Sequence, residues 1–251
     1  MRAVLTYHSI DDSGSPISVD RASFERHLDW LGSGEVQVIP LETMVAGGGG
    51  AAAVALTFDD GFANLADGPM AAVAARGLPA TVFVVTGHVG RTNAWGGRDD
   101  PRVPTLPLLD WPALGALAEA GVTIGAHTRT HPRLPDLTAT QVDDELESSA
   151  TRVERELGRR PTQFAYPFGA LSPMVVERAR LQYRLAVTTD HRPMNPAEDR
   201  LLIPRLDAFY FRAPGRLERW NSAGFRRSVR LRRLARRLRS MVESVGGRNP
   251  A

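Results

Sequence analysis

Residues 53–61 read Ala53-Val54-Ala55-Leu56-Thr57-Phe58-Asp59-Asp60-Gly61. The apolar run is short, bounded and apolar on both alternating faces, which predicts a strand buried on both sides. Asp59 and Asp60 stand at its carboxyl end, and Gly61 lets the chain turn where a side chain would obstruct. Two adjacent carboxylates repel unless a cation or a shared proton relieves them. A strand end followed by an Asp-Asp-Gly turn is one reading. A metal site is the other, and it needs ligands from elsewhere in the chain.

The flanking sequence alternates strand and helix. Arg2 to His8 predicts a first strand, and Asp20 caps a helix from Arg21 to Leu31 with Phe24, Leu28 and Leu31 on one face. Val36 to Ile39 predicts a short strand, and Ala63 to Arg76 a helix closed by Gly77. Ala80 to Thr86 is a β-branched strand, and Gly87 to Pro107 a long rim or lid loop. Helices follow behind Asp110, Thr138 and Ser172; strands are predicted at Val122–Ala126, Gln163–Tyr166, Arg184–Thr188 and Leu201–Leu206. This is the pattern of parallel βαβ units, and seven or eight short strands suit an α/β barrel better than an open sheet. In such folds the chemistry sits on the loops after the strands' carboxyl ends. The barrel is assigned to residues 1–211 and a basic helical tail to 212–251.

Composition excludes some chemistries. The chain has no cysteine, so disulfides, thiolate metal sites and a cysteine nucleophile are ruled out. The amino-terminal stretch does not read as a signal peptide and no stretch is long enough to cross a bilayer, so the expectation is a cytoplasmic protein. All 31 basic residues are arginine, and 12 of them lie in residues 212–251 beside only Glu218 and Glu243. The tail is thus strongly basic, whereas the body is mildly acidic.

Gly125-Ala126-His127-Thr128-Arg129-Thr130-His131-Pro132 also follows a predicted strand. Two histidines at i and i+4 point the same way if the segment makes a helical turn, and so chelate one ion. One carboxylate with two imidazoles is the oxygen and nitrogen set of a catalytic zinc-type site. The second carboxylate is then free to act as a general base. A third segment, Phe164-Ala165-Tyr166-Pro167-Phe168-Gly169, reads either as an aromatic strand end and tight turn or as part of the same site.

These three ordered segments together resemble the polysaccharide deacetylases of the NodB-homology type, carbohydrate esterases that remove acetyl groups from sugars. Tyr7-His8-Ser9-Ile10 is similar to the early motif of the subgroup that includes poly-N-acetylglucosamine deacetylases. The resemblance implies a deformed (β/α)7-type barrel and a divalent metal, usually Zn2+. It implies that Asp60, His127 and His131 hold the metal, and that Asp59 is the general base. It further implies that the backbone N–H of Phe168, beside Tyr166 and Pro167, helps the metal stabilise the oxyanion. Two departures stand out. Ala165 occupies the place of the arginine that orients the base in this family, and Arg205 is either its substitute or a surface arginine. The late motif that carries the general acid is unclear; His8 is preferred to His191. Trp95 and Trp111 are candidates to stack on a sugar ring or to pack at the rim.

The segment 225–245 is a basic amphipathic helix, with Leu231, Leu234, Leu238, Met241 and Val245 at helical spacing and Arg226, Arg230, Arg233 and Arg237 between them. Its apolar stripe either packs on the barrel or meets an anionic membrane at the inner face, as would suit a lipid-linked glycan substrate. Nucleic-acid binding is disfavoured because no recognised motif accompanies the charge. The expected function is metal-dependent removal of acetyl groups from an N-acetylated sugar or glycan. The alternatives are a deformylase or amidohydrolase acting on a non-sugar C–N bond, and a catalytically weak glycan-binding relative.

Overall fold

The computed structural model describes residues 1–95 and 101–246. Ten strands are present among them: β1 (Arg2–Tyr7), β2 (Ser9–Ile10), β3 (Ser18–Val19), β4 (Gln37–Val38), β5 (Ala53–Phe58), β6 (Ala80–Val84), β7 (Thr123–Ala126), β8 (Gln163–Ala165), β9 (Leu185–Val187) and β10 (Arg205–Asp207). The helices are α1 (Arg21–Gly32), α2 (Leu41–Val45), α3 (Pro69–Ala75), α4 (Trp111–Glu119), α5 (Ala139–Leu157), α6 (Pro173–Gln182) and α7 (Ala223–Gly246).

The main sheet runs in the order β10-β1-β5-β6-β7-β8-β9, with β4 added to the start of β5, and every pairing in it is parallel. The ring nearly closes through one segment. Ile203 bridges to Val187 of β9, and two residues later β10 pairs with β1. Parallel strands deliver all their carboxyl ends to one rim, so every motif that follows a strand is brought to the same face.

Side-chain alternation sorts the core. Val4, Ala53, Ala55, Phe83, Ala165, Val187 and Ile203 form a cluster drawn from strands all round the ring, the barrel interior. Ala3, Leu5 and Tyr7, the alternate residues of β1, join Phe24, Leu28 and Leu31 of α1 on the outside. The interior is narrow, so most of its residues are small. A Cβ at Gly125 would lie 2.5 Å from the Phe83 ring.

The caps expected from sequence are present. Asp20 accepts from the Ser23 N–H at 2.8 Å and Asp110 from the Ala113 N–H at 2.9 Å. Thr138 and Gln141 form a capping box on α5. Three local expectations differ. The helix expected from Ala63 is a single 3-10 turn, Ala63–Leu65, followed by α3 only from Pro69. Gly68 adopts φ 112° there, and Pro69 suits a first helical turn because its missing N–H is not needed. The last strand shortens to Arg205–Asp207 because Pro204 has no N–H to donate. Residues Ile10 to Asp20, which with Gly14 and Pro16 read as a polar loop, contribute to a small parallel pair, β2 with β3. The rim loop is pinned by an antiparallel bridge between Thr92 and Pro107, and the part of it spanning 96–100 lies outside the described residues.

The start of the basic tail is built into the barrel's packing. Leu217, Phe225 and Val229 are buried in the same cluster as β1 and α1. Farther along α7, Leu231, Leu234 and Leu238 are 58%, 55% and 56% exposed. The side chains of Arg237, Met241 and Val245 lie outside the described residues.

Candidate active site

The carboxyl end of β5 separates its two aspartates. The Asp59 N–H still donates to the Tyr7 carbonyl at 2.9 Å, so Asp59 remains in strand register. Asp60 and Gly61 then take φ 71° and 75°, left-handed values that are costly for a side chain. The chain reverses there, and the two buried carboxylates meet different partners.

Asp59 meets Arg205. The guanidinium spans both carboxylate oxygens, Nη1 to Oδ1 and Nη2 to Oδ2, each at 2.6 Å. Arg205 is 1% exposed; its Nε donates to the Thr188 carbonyl at 3.0 Å and its Nη1 to Thr57 Oγ1 at 3.3 Å. Burial by itself raises the Asp59 pKa, but the charge and the two hydrogen bonds of Arg205 outweigh it and hold the carboxyl well below the usual carboxylate range. Arg205 is therefore no surface arginine. It reaches the base from the last strand, whereas the sequence position expected for that arginine, Ala165, lies in the barrel interior. Of the two candidate acids, His8 stands beside the base, its Nε2 3.8 Å from Asp59 Oδ2.

Asp60 meets the histidines. His127 Nε2 and His131 Nε2 lie 3.4 and 3.6 Å from Asp60 Oδ1 and 3.2 Å from one another. The histidine segment is not the helical turn expected from its spacing. Thr128 and His131 are left-handed, with φ 66° and 60°, and fold the loop back on itself. Glu145 of α5 holds that fold: its carboxylate accepts the N–H groups of Arg129 and Thr130, both at 2.9 Å, and the Thr130 hydroxyl at 2.7 Å. Sequence reasoning passed over Glu145. Its signal was an acid set among the buried positions Val142, Leu146 and Ser149 of an amphipathic helix.

The donor set fits a divalent cation. His127 Nδ1 donates to the Ala165 carbonyl at 2.7 Å, which turns Nε2 toward Asp60. The ligand atoms of Asp60, His127 and His131 all lie within 4.8 Å of one another, and all three residues are buried. Burial and the neighbouring His127 push His131 down to about 3, so it is the neutral imidazole that a metal requires. Two ring nitrogens and a carboxylate oxygen, buried and close together, make a nitrogen-rich donor set, the set that suits zinc and its neighbours.

The third segment contributes unequally. Phe168 adopts φ 58°, is 46% exposed, and sets its ring 4.5 Å from that of His131. Pro167 is buried in the same turn. Tyr166 is fully buried and packs edge-on to Phe164 at 5.1 Å, in the core under α5 and α6. Gly169 makes the turn possible: at φ 65° an added Cβ would fall 2.0 Å from Thr189 Oγ1. Gly169→Ala is expected to destabilise the fold by roughly 3 kcal/mol, combining left-handed strain with overpacking. Urea unfolding checks this; a change below about 0.5 kcal/mol would show that the turn relaxes freely.

Two other candidates lie away from these groups. His191 is buried against Phe211 and Tyr210, and its Nδ1 accepts from the Asp207 N–H at 3.2 Å. Trp111 begins α4, and its ring partner is Arg152 of α5, 5.4 Å from the ring centroid. The tryptophan beside the triad is Trp95, 4.4 Å from His131 and 5.7 Å from His88, ring to ring.

A parallel barrel with a carboxylate–histidine triad and a separate arginine-held carboxylate on its carboxyl-end rim is the architecture of a hydrolase barrel. Residues 46–186 match the family model described as polysaccharide deacetylase, and the chain belongs to that family. It is 25% identical over 193 residues to a Bacillus subtilis (strain 168) protein named "Putative polysaccharide deacetylase YxkH", covering 74% of this chain and 64% of that relative. The chain thus spans less than two thirds of that relative's length. The fold is shared with Streptococcus pyogenes deacetylase PplD, solved in complex with acetate, at TM-score 0.71, 21% identity, 82% of this chain and 91% of that one. It is shared also with IcaB from Ammonifex degensii, at TM-score 0.72, 22% identity, 83% of this chain and 93% of that one.

Proposed function

We propose that this protein removes acetyl groups from an N-acetylated sugar or glycan by hydrolysis. The observation that carries this reading is the division of the two aspartates: Asp60 turned into the histidine pair, Asp59 kept apart and gripped by Arg205. Asp60, His127 and His131 would hold a divalent cation, zinc for preference. When bound, it supplies Lewis acidity to the scissile acyl group.

Asp59 takes the proton from the attacking water. Arg205 fixes both carboxylate oxygens, so the base has one orientation and stays ionised at neutral pH. Phe168, in the left-handed turn with its ring against His131, offers its backbone N–H as the donor to the developing oxyanion. His8, a quarter exposed and next to Asp59, protonates the leaving amine. The Arg205–Asp59 pair, which supplies an arginine to the base where Ala165 cannot, supports turnover over glycan binding alone. Trp95 and Phe168 flank the triad and offer apolar faces to a sugar ring.

The exposed leucines of α7 support a peripheral position at the inner face of a membrane, with a lipid-linked glycan as substrate. No helix among the described residues is long and apolar enough to cross a membrane.

Acetate release from N-acetylglucosamine oligomers, measured with and without a chelator, tests the proposal. Turnover that disappears with chelation and returns with zinc is the expected result. Undiminished turnover after complete metal removal would overturn the metal assignment. Turnover confined to a non-sugar amide in a substrate panel would overturn the glycan.

A further inference from the structure

Away from the aspartates, the amino end of α7 closes over a cavity of about 280 Å3. Its floor is apolar and buried, formed by Phe211, Phe225 and Val229. Its mouth is basic: Arg216, Arg219 and Arg232 line it, all exposed. Two neighbouring arginines of α7 do have carboxylate partners. Arg233 bridges to Asp190, and Arg236 to Asp207. None of the three at the mouth has a carboxylate within ion-pair distance among the described residues, and Arg232 instead lies 4.3 Å over the Tyr210 ring.

His191 forms part of the same wall and is 2% exposed. Its Nδ1 accepts the Asp207 N–H, so the neutral ring carries its proton on Nε2. That Nε2 is buried and has no hydrogen-bond partner. An orphaned buried donor is uncommon in folded proteins. Here it belongs to a residue in the wall of a pocket whose charged lining residues are all arginines. The first turn of α7 opens on the pocket at Gly224, where nothing lies within 4 Å of a built Cβ, and a helix of this length adds positive potential at its amino end.

We propose that this cavity binds a phosphate-class anion. Arginine forks suit phosphate oxygens. The apolar floor admits a carbon chain or ring attached to the phosphate. The same anion chemistry is offered by a free phosphate ester and by a lipid phosphate headgroup. The exposed Leu231, Leu234 and Leu238 farther along α7 make the second source testable on vesicles.

The experiment uses the full chain at low ionic strength. Inorganic pyrophosphate is titrated by calorimetry, and binding is measured to phosphatidylcholine vesicles with and without phosphatidic acid. The wild type is compared with R216Q/R232Q and with a charge-matched control, R226Q/R230Q, whose arginines do not line the cavity. Saturable binding is expected, weakened about tenfold for each mouth arginine removed, with the control near wild type and acetate release unchanged in both. The His191 ring resonance should move on titration. Binding to pyrophosphate assigns a free anion, and binding only to phosphatidic acid vesicles a headgroup; either supports the site. Absence of binding to both probes overturns it. So does equal weakening in R226Q/R230Q, which would show a diffuse attraction to α7 rather than a pocket.

Discussion

Replacing Asp59 by Asn is expected to lower kcat by about 10²–10⁴-fold, the range over which positioned acid–base groups act. The substitution keeps shape and removes basicity, and it leaves Asp60 and both histidines in place, so bound metal should be unchanged. It also leaves Arg205 buried with its charge uncompensated. Breaking one side of a buried pair costs about 3–5 kcal/mol. The single variant should therefore be slow and less stable at once, which by itself does not separate catalysis from folding. The double variant D59N/R205M separates them. With the guanidinium gone no charge is stranded, so most of the lost stability should return while turnover stays down. Urea unfolding beside initial rates of acetate release reads both. Full activity in Asp59→Asn would remove it as the base. A double variant no more stable than the single one would show that the stranded charge was not the cause.

His127→Ala is expected to abolish turnover and to take bound zinc from about one per chain to none, because a two-ligand remnant cannot compete with water and buffer. Stability supplies a second readout. A ligand that binds only the folded state stabilises it by about 4 kcal/mol at a thousandfold excess over its dissociation constant. Adding zinc to stripped wild-type protein should accordingly raise Tm by several degrees and leave that of His127→Ala unmoved. Restoring the second-neighbour contact is not required for this comparison, since His127 Nδ1 binds only the Ala165 carbonyl. An equal Tm shift in both proteins would place the ion elsewhere.

The architecture was legible because its signals are local. The buried run at Ala53–Phe58, the caps at Asp20, Asp110 and Thr138, and strand–helix alternation each speak for a few residues, and parallel connection rules assemble them. Asp59, Asp60, His127 and His131 were legible because each follows a strand, and parallel strands end on one rim. What sequence alone left open depends on distance. Arg205 is 146 residues from Asp59 and no spacing joins them. Whether His8 or His191 faces the base is likewise a matter of distance: His8 stands 3.8 Å from Asp59, and His191 packs against Tyr210 and Phe211. Ala63–Arg76 misled because alanine-rich composition outweighs one Gly-Pro step until the backbone angle at Gly68 is seen. Glu145 went unread because a buried carboxylate looks like an error in an apolar stripe until its backbone partners are placed.

Among the described residues five other than glycine have left-handed backbones, and four of them are at the triad: Asp60 and His131 belong to it, and Thr128 and Phe168 stand beside it. Each holds its place against a penalty of about 1–2 kcal/mol that a glycine would not incur. A selection for thermal stability alone, blind to turnover, would be drawn to glycine at Thr128 and Phe168, and would yield tougher proteins with a looser mouth. Directed evolution of this enzyme toward heat resistance should therefore screen rate and melting together, and look for its gains among the surface helices rather than around the rim.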